Sequence, residues 1–354
     1  MPPPITTTLL LTYLLKIEMP ILASAMVSPR PKERLGDGLA SARGASAMSP
    51  ACNLGIVDRR RAPRLLTLAC ERSCANGVAK VSDPVDPKAE RTGEALNEAL
   101  AEHRAHVDAV LPSGDPEAIK NLYVELGDLL DRAVAGDPEG IPALSFPEIA
   151  PVLTELAADF GPRVLDAGCG PNPIFSIMLA RSRFVVSLDI SWSIVRLAVQ
   201  RAKAAGMHVH GVVGDLEALP FRDGSFNGSV CEDTIEHLPD DRKGASELAR
   251  VLAPGGRVIL GTPNKVRLDV LTAKVRDRFS GRRKPASAYY AASSHLREYT
   301  WGSLERLTRP WFTVRRRATV GWTGGRRSEI ATRIVQSGPL RRLGRMILLD
   351  LVKR

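Results

Sequence analysis

Four acidic residues stand at the ends of four short apolar runs: Asp166, Asp189, Asp215 and Glu232. The first lies in Val164-Leu165-Asp166-Ala167-Gly168-Cys169-Gly170, an apolar run that breaks into a turn with two glycines. Such glycines let a backbone approach a ligand closely, and open α/β sheets bind ligands beyond the carboxyl ends of their strands. Asp189, nineteen residues after Gly170, can accept hydrogen bonds from both hydroxyls of a ribose. Asp215 can accept from an adenine amino group while Leu216 packs on the ring. Taken singly these signals are weak. A Gly-x-Gly can be a plain tight turn, Asp189 a helix N-cap and Asp215 a turn residue. A dinucleotide fingerprint needs a third glycine, and Pro173 occupies that place, which argues against a nicotinamide dehydrogenase.

Alternating elements must position these groups. Strands are expected at Arg163–Asp166, Phe184–Asp189, Val209–Asp215, Phe226–Glu232 and Arg257–Gly261. Helices are expected near Ile174–Ala180, Trp192–Ala205 and Asp240–Leu252, the last closed by the turn Pro254-Gly255-Gly256. Strand–helix alternation of this kind means βαβ units and a parallel sheet. Further on, helices are expected at Leu268–Phe279 and Thr300–Leu307, and a strand at Phe312–Val320 with Ile330–Val335 as its antiparallel partner. Apolar residues at helical spacing predict three earlier helices: Leu96–Leu111, a second from Pro116 to about Leu130, and Phe146–Phe160.

The 354-residue chain suffices for one large domain or two modest ones. Its first 88 residues are rich in Pro, Ser, Ala, Gly and Arg without a lasting apolar period, and are expected to be poorly structured. Ile5–Val27 is apolar but interrupted by Lys16, Glu18 and Pro20, so it reads neither as a membrane span nor as a signal peptide. The five cysteines form no disulfide framework and fit a reducing cytoplasm. Cys70 and Cys74 lack a second ligand pair at zinc spacing, and no metal is expected. Net charge is +10, unevenly spread. From Lys274 to Arg354 there are 20 Lys/Arg against 5 Asp/Glu, whereas Leu96–Ala273 carries 16 against 25.

The central stretch resembles the class I S-adenosylmethionine (SAM)-dependent methyltransferases, especially their small-molecule branch. The resemblance is carried by VLDAGCG at Val164–Gly170, GDLEALPF at Gly214–Phe221, DGSFNGSVCEDTIEHLPD at Asp223–Asp240 and ELARVLAPGGRVILGTPN at Glu247–Asn264. A weaker echo, HLREYTWGSLERL, covers His295–Leu307. It implies a Rossmann-like, seven-stranded, mostly parallel sheet with helices on both faces, preceded by N-terminal helices. Together with composition and apolar periodicity, this gives an expected division into an extension at 1–88, a helical segment at 89–149, a methyltransferase domain at 150–336 and a basic tail at 337–354.

The resemblance further implies that Asp166, Gly168 and Gly170 line the methionine part of SAM, that Asp189 holds the ribose, that Asp215 and Leu216 hold the adenine, and that Glu232 sits at the pocket's edge. Asn227 departs from the aspartate common at its position, a position that is usually structural. The SAM methyl group is already electrophilic, so catalysis is chiefly placement of an acceptor in line. A hydroxyl acceptor also needs a base, for which His237, Glu236 and His295 are candidates.

Markers of DNA methyltransferases are missing, since Glu232-Asp233-Thr234 stands where amino-methylating enzymes carry Asn or Asp before Pro-Pro and an aromatic. The expected acceptor is therefore a small molecule, lipid-linked or sugar-containing. An RNA acceptor and a non-catalytic SAM-binding regulator are the alternatives. Pro339–Arg354, taken as a helix with an apolar face and a basic rim, either packs on the domain with its arginines in water or lies on an anionic membrane surface. The expected location is cytoplasmic, and peripheral to a membrane only under the second of these readings.

Overall fold

A computed structural model describes residues 56–58, 100–133, 149–280, 295–321 and 339–354. Its elements are a helix over 100–110 (α1), α2 (Pro116–Ala133), α3 (Ile149–Leu156), β1 (Arg163–Ala167), α4 (Ile174–Leu179), β2 (Phe184–Asp189), α5 (Trp192–Ala204) and β3 (His210–Val213). There follow β4 (Phe226–Glu232), α6 (Asp241–Val251), β5 (Leu252–Pro263), α7 (Leu268–Phe279), α8 (Trp301–Thr308), β6 (Phe312–Val320) and β7 (Met346–Lys353).

One seven-stranded sheet runs β3-β2-β1-β4-β5-β7-β6. Strands β1 to β5 are mutually parallel, and β7 is antiparallel to both β5 and β6. The Rossmann-like sheet implied by the resemblance is therefore present. Side chains alternate across it, as a period of two requires. Leu165, Val186, Cys231, Leu260 and Leu349 enter a core that also holds α6 and α8. Their neighbours Val164, Val185, Val230, Ile259 and Leu348 enter the opposite core, with residues of α3 and α4.

Strand β7 corrects the expectation for the C-terminus. Pro339–Leu343 forms a short 3-10 turn, and the chain then enters the sheet instead of continuing as an amphipathic helix. Met346–Leu351 is buried without interruption. A strand covered on both faces has no polar side to alternate with, so its apolar residues run consecutively. Leu348, Leu349 and Leu351 lie in the core and are not available to a membrane interface. Ile330–Val335, expected to pair with β6, lies outside the described residues, and β7 takes that role. The sheet thus runs beyond residue 336 to Lys353.

Inside the first 88 residues, where little structure was expected, Val57 bridges Phe221, and Ile56 and Val57 are buried. Helix α2 packs on α5. Ser193 donates to Asp128 (2.6 Å), Arg196 pairs with Asp131, and Leu130 meets Ile194 and Leu197. A Cβ at Gly127 would meet Ser191 Oγ at 2.0 Å, so only glycine allows this approach. Asn227 is structural: its Oδ1 accepts from the Arg163 N–H (3.2 Å). No helix among the described residues is long and apolar enough to cross a membrane.

Candidate active site at the strand tips

The turn after β1 brings the sequence candidates together. Gly168 and Gly170 have φ of 80° and 59°, values that residues with a Cβ rarely adopt. The N–H groups of Gly168 and Cys169 donate to the Leu188 carbonyl (2.8 and 2.9 Å), and the Gly170 N–H donates to Asp189 Oδ2 (3.2 Å). The other Asp189 oxygen accepts from the Ser191 N–H (3.1 Å). These bonds lash the glycine turn to the tip of β2.

Asp166 is buried and accepts from the Ser176 hydroxyl at 2.6 Å. Burial pushes its pKa up to about 6, against the lowering effect of that bond. Burial likewise raises Asp189 to about 6, opposed by the N–H groups it accepts from. Glu232 is pushed to about 8, first by burial and then by Asp233 and Asp166.

Asp215 caps the turn after β3, accepting from the Glu217 N–H (2.8 Å). Its second oxygen is held by Lys120 of α2 at 2.8 Å, and the same ammonium reaches Glu217 at 2.9 Å. Leu216 is 4% exposed, packed into the core. Cys169 and Cys231 are buried, and burial raises both thiols well above their usual range.

Beyond β4 the chain makes a tight corner. Asp233 has φ 52°, the only such non-glycine residue among those described. A Cβ at Gly168 would lie 2.3 Å from Thr234 Oγ1, so this corner abuts the glycine turn. Glu236 is fully buried beside Asp233 and Thr262, and neither of its carboxyl oxygens makes a well-formed hydrogen bond. Burial, and then Asp233, hold its carboxyl well above the usual range. His237 Nδ1 lies 2.9 Å from the Tyr123 hydroxyl of α2.

His295 arrives from a distant segment stitched onto this corner. The Leu296 N–H donates to the Glu236 carbonyl (3.1 Å), Arg297 donates to the carbonyls of Leu238 and Pro239, and Tyr299 donates to Asp241 (2.7 Å). The His295 and His237 rings meet edge to face at 4.8 Å. Burial lowers His295 to about 4. All three base candidates therefore converge, together with Asp233.

The sequence reading missed Lys120 and Tyr123. Both lie on α2, three residues apart and so on one helix face. A cation and a phenol beside the apolar positions Ile119 and Leu122 were the available signal. A cleft of about 340 Å³ between α1 and α2, lined by Glu102, His103, His106, Glu125, Asp128, Leu129 and Arg132, contains none of the strand-tip residues.

Residues 165–260 match the family model for a methyltransferase domain. The chain carries a class I SAM-dependent methyltransferase domain. SAM is the cofactor of this domain, and the left-handed glycines, with buried Asp166 and half-buried Asp189 beside them, fit a ligand that must lie close to backbone.

The ubiquinone biosynthesis O-methyltransferase of Xanthomonas axonopodis pv. citri is 29% identical over 131 residues, 37% of this chain and 55% of that one. The malonyl-[acyl-carrier protein] O-methyltransferase of Erwinia billingiae is 35% identical over 115 residues, 32% of this chain and 43% of that one. The chain thus spans about half the length of these curated relatives. The magnesium protoporphyrin IX methyltransferase of Synechocystis, solved with bound SAH, is 19% identical with a TM-score of 0.41, covering 65% of this chain and 85% of that one. Tyr123, Lys120 and His295 all lie outside the stretch matched to the methyltransferase domain.

Proposed function

We propose that this protein transfers a methyl group from SAM to an oxygen of a small-molecule acceptor. The observation that carries the reading is the gathering of Asp166, Asp189, Asp215 and Glu232 at successive strand tips around a turn with two left-handed glycines. In this reading Asp166, Gly168 and Gly170 face the methionine part, Asp189 the ribose, Asp215 and Leu216 the adenine, and Glu232 the pocket edge. The carboxylates offset the cofactor's positive charge. The O-methyltransferase names of the two curated relatives favour oxygen as the acceptor atom.

Three arginines of the edge strand β6 already have carboxylate partners, which weakens the case for RNA at that strand. Arg315 pairs with Asp159 (3.1 Å), Arg316 with Glu155 (2.6 Å) and Arg317 with Glu305 (2.5 Å). Charges already paired on an edge strand serve to guard that edge.

Two measurements test the reading. Calorimetry should detect SAM binding that weakens at least tenfold in Asp189→Ala. Incubation with methyl-labelled SAM and a fractionated lysate should place label in the small-metabolite or lipid fraction. Label in RNA would transfer the assignment to the RNA alternative, and SAM binding without any label would favour a non-catalytic role. Absence of SAM binding would end the proposal.

A further inference from the structure

Four side chains with nitrogen or oxygen donors converge beside the glycine turn. One donor atom from each of Asp233, Glu236, His237 and His295 lies within 4.8 Å of all the others. We propose that these four residues form a binding site for a divalent first-row transition cation, which holds the acceptor's oxygen next to the methyl donor. The second half of this statement rests on the methyltransferase reading above, and the first half does not.

The buried members carry the argument. Glu236 is 0% exposed, and neither of its oxygens makes a well-formed hydrogen bond; Asp233 and Thr262 are its polar neighbours. His295 Nδ1 is buried and without a hydrogen-bond partner. Buried polar atoms are ordinarily satisfied, and an orphaned carboxylate in the interior is costly. A cation at the centre of the cluster would satisfy Glu236, His295 and Asp233 at once.

The spacing fits. Metal–ligand bonds of about 2.1 Å place two ligands on one ion no more than about 4.2 Å apart. The observed limit of 4.8 Å calls for a contraction of a few tenths of an ångström. Asp233, exposed at the rim, can supply it by side-chain rotation.

The surroundings also fit. A histidine that ligates a metal is commonly oriented by a hydrogen bond at its other ring nitrogen. The Tyr123 hydroxyl lies 2.9 Å from His237 Nδ1 and is placed to orient that ring in this way. Two imidazoles among the donors select zinc, iron, cobalt or manganese over magnesium or calcium, which prefer oxygen alone.

Four protein ligands leave two positions of an octahedron open. A hydroxyl of the acceptor bound there loses its proton to water more readily, because the ion stabilises the alkoxide. That oxygen then forms its bond to the methyl carbon. The carbon–sulfur bond breaks with its electron pair passing to sulfur, which leaves a neutral thioether. The corner's contact with Gly168 places the cation beside the cofactor turn.

Cobalt(II) titrated into the purified, metal-stripped full chain tests the site without SAM or acceptor. The expected result is visible d–d absorption saturating at one equivalent, with calorimetric affinity for cobalt well above that for magnesium. Glu236→Gln and His295→Ala should each weaken cobalt binding about a hundredfold, and Tyr123→Phe about tenfold. Should the buried substitutions unfold the chain, Asp233→Asn at the exposed rim should still weaken binding about tenfold.

Saturation without d–d bands, tighter binding of magnesium, or cobalt affinity unchanged in folded Glu236→Gln or Asp233→Asn would overturn the site. The acceptor role has its own test: a chelator should abolish label transfer while leaving SAM affinity unchanged. Label transfer that survives chelation overturns that role alone. Loss of SAM binding from the untreated protein would instead overturn the methyltransferase reading.

Discussion

Asp166 and Asp189 are carboxyls held near pH 6 by burial beside a turn that fits a cation-bearing cofactor. In the unfolded chain an aspartate titrates near pH 3.9. Between about pH 4 and pH 6 the folded protein therefore keeps protons that the unfolded chain has released. Stability from these two groups is fully present below pH 4 and declines as pH rises to 6. SAM binding should have the opposite slope, because its sulfonium favours the ionised carboxyls. Affinity is expected to rise through pH 6 with proton release on binding, and calorimetry in buffers of different ionisation enthalpy measures both. Asp189→Asn should flatten that profile. A wild-type affinity that does not change between pH 5 and 7 would show that these carboxyls do not face the cofactor. The neighbouring glycines make a second residue-scale contrast. Gly170→Ala meets nothing within 4 Å and should cost only the backbone strain of φ 59°, about 1 kcal/mol. Gly168→Ala adds a collision with Thr234 and should lose more in both melting temperature and SAM affinity.

Among the elements, β1 to β4 were readable because each has at or just beyond its end a residue that also carries chemistry, so strand limits and candidate site residues appeared together in the sequence. Strand β7 was not. Its Met346-Ile347-Leu348-Leu349 run suits a strand buried on both faces as well as one side of a helix, and the flanking arginines suggested a basic rim. Burial decides the matter through a contact that local sequence does not announce. Arg257 of β5 donates to both oxygens of Asp350 on β7 (3.0 and 2.8 Å) and to the Leu156 carbonyl (2.6 Å). Asp350 is 1% exposed and Arg257 8%. Asp350→Ala would strand the guanidinium in the interior, at a cost of about 3–5 kcal/mol. The double substitution Arg257→Met with Asp350→Leu removes both charges and should be far less destabilising than the sum of the two single changes. Denaturant unfolding of the four proteins measures the coupling. Additive losses would mean that the pair does not fasten β7 to the sheet.

On the scale of the whole molecule, a strand-tip cofactor turn within the residues matched to the methyltransferase domain is joined by groups from outside them. Lys120 and Tyr123 come from α2, and His295 comes from a segment between α7 and α8. The sequence displayed the strand tips but not this assembly, because contacts across 58 to 114 residues leave no local period. Lys120 is its most testable member. Its ammonium sits between Asp215 and Glu217, with the Glu217 side chain only 5% exposed. Glu217 also accepts from the Asp240 N–H (2.8 Å), so the ion pair links α2 to the start of α6. Lys120→Met would leave two adjacent carboxylates without their shared cation and should destabilise the protein by about 3 kcal/mol. Adding Glu217→Gln to that variant removes one charge yet keeps an acceptor for Asp240, and should restore most of the loss. Hydrogen exchange across Pro116–Ala133 should quicken in the single variant and slow again in the double. Exchange that is unchanged in the single variant would mean that α2 is held by its packing on α5 alone, through Gly127, Ser193 and Arg196, and that Lys120 serves only to position Asp215.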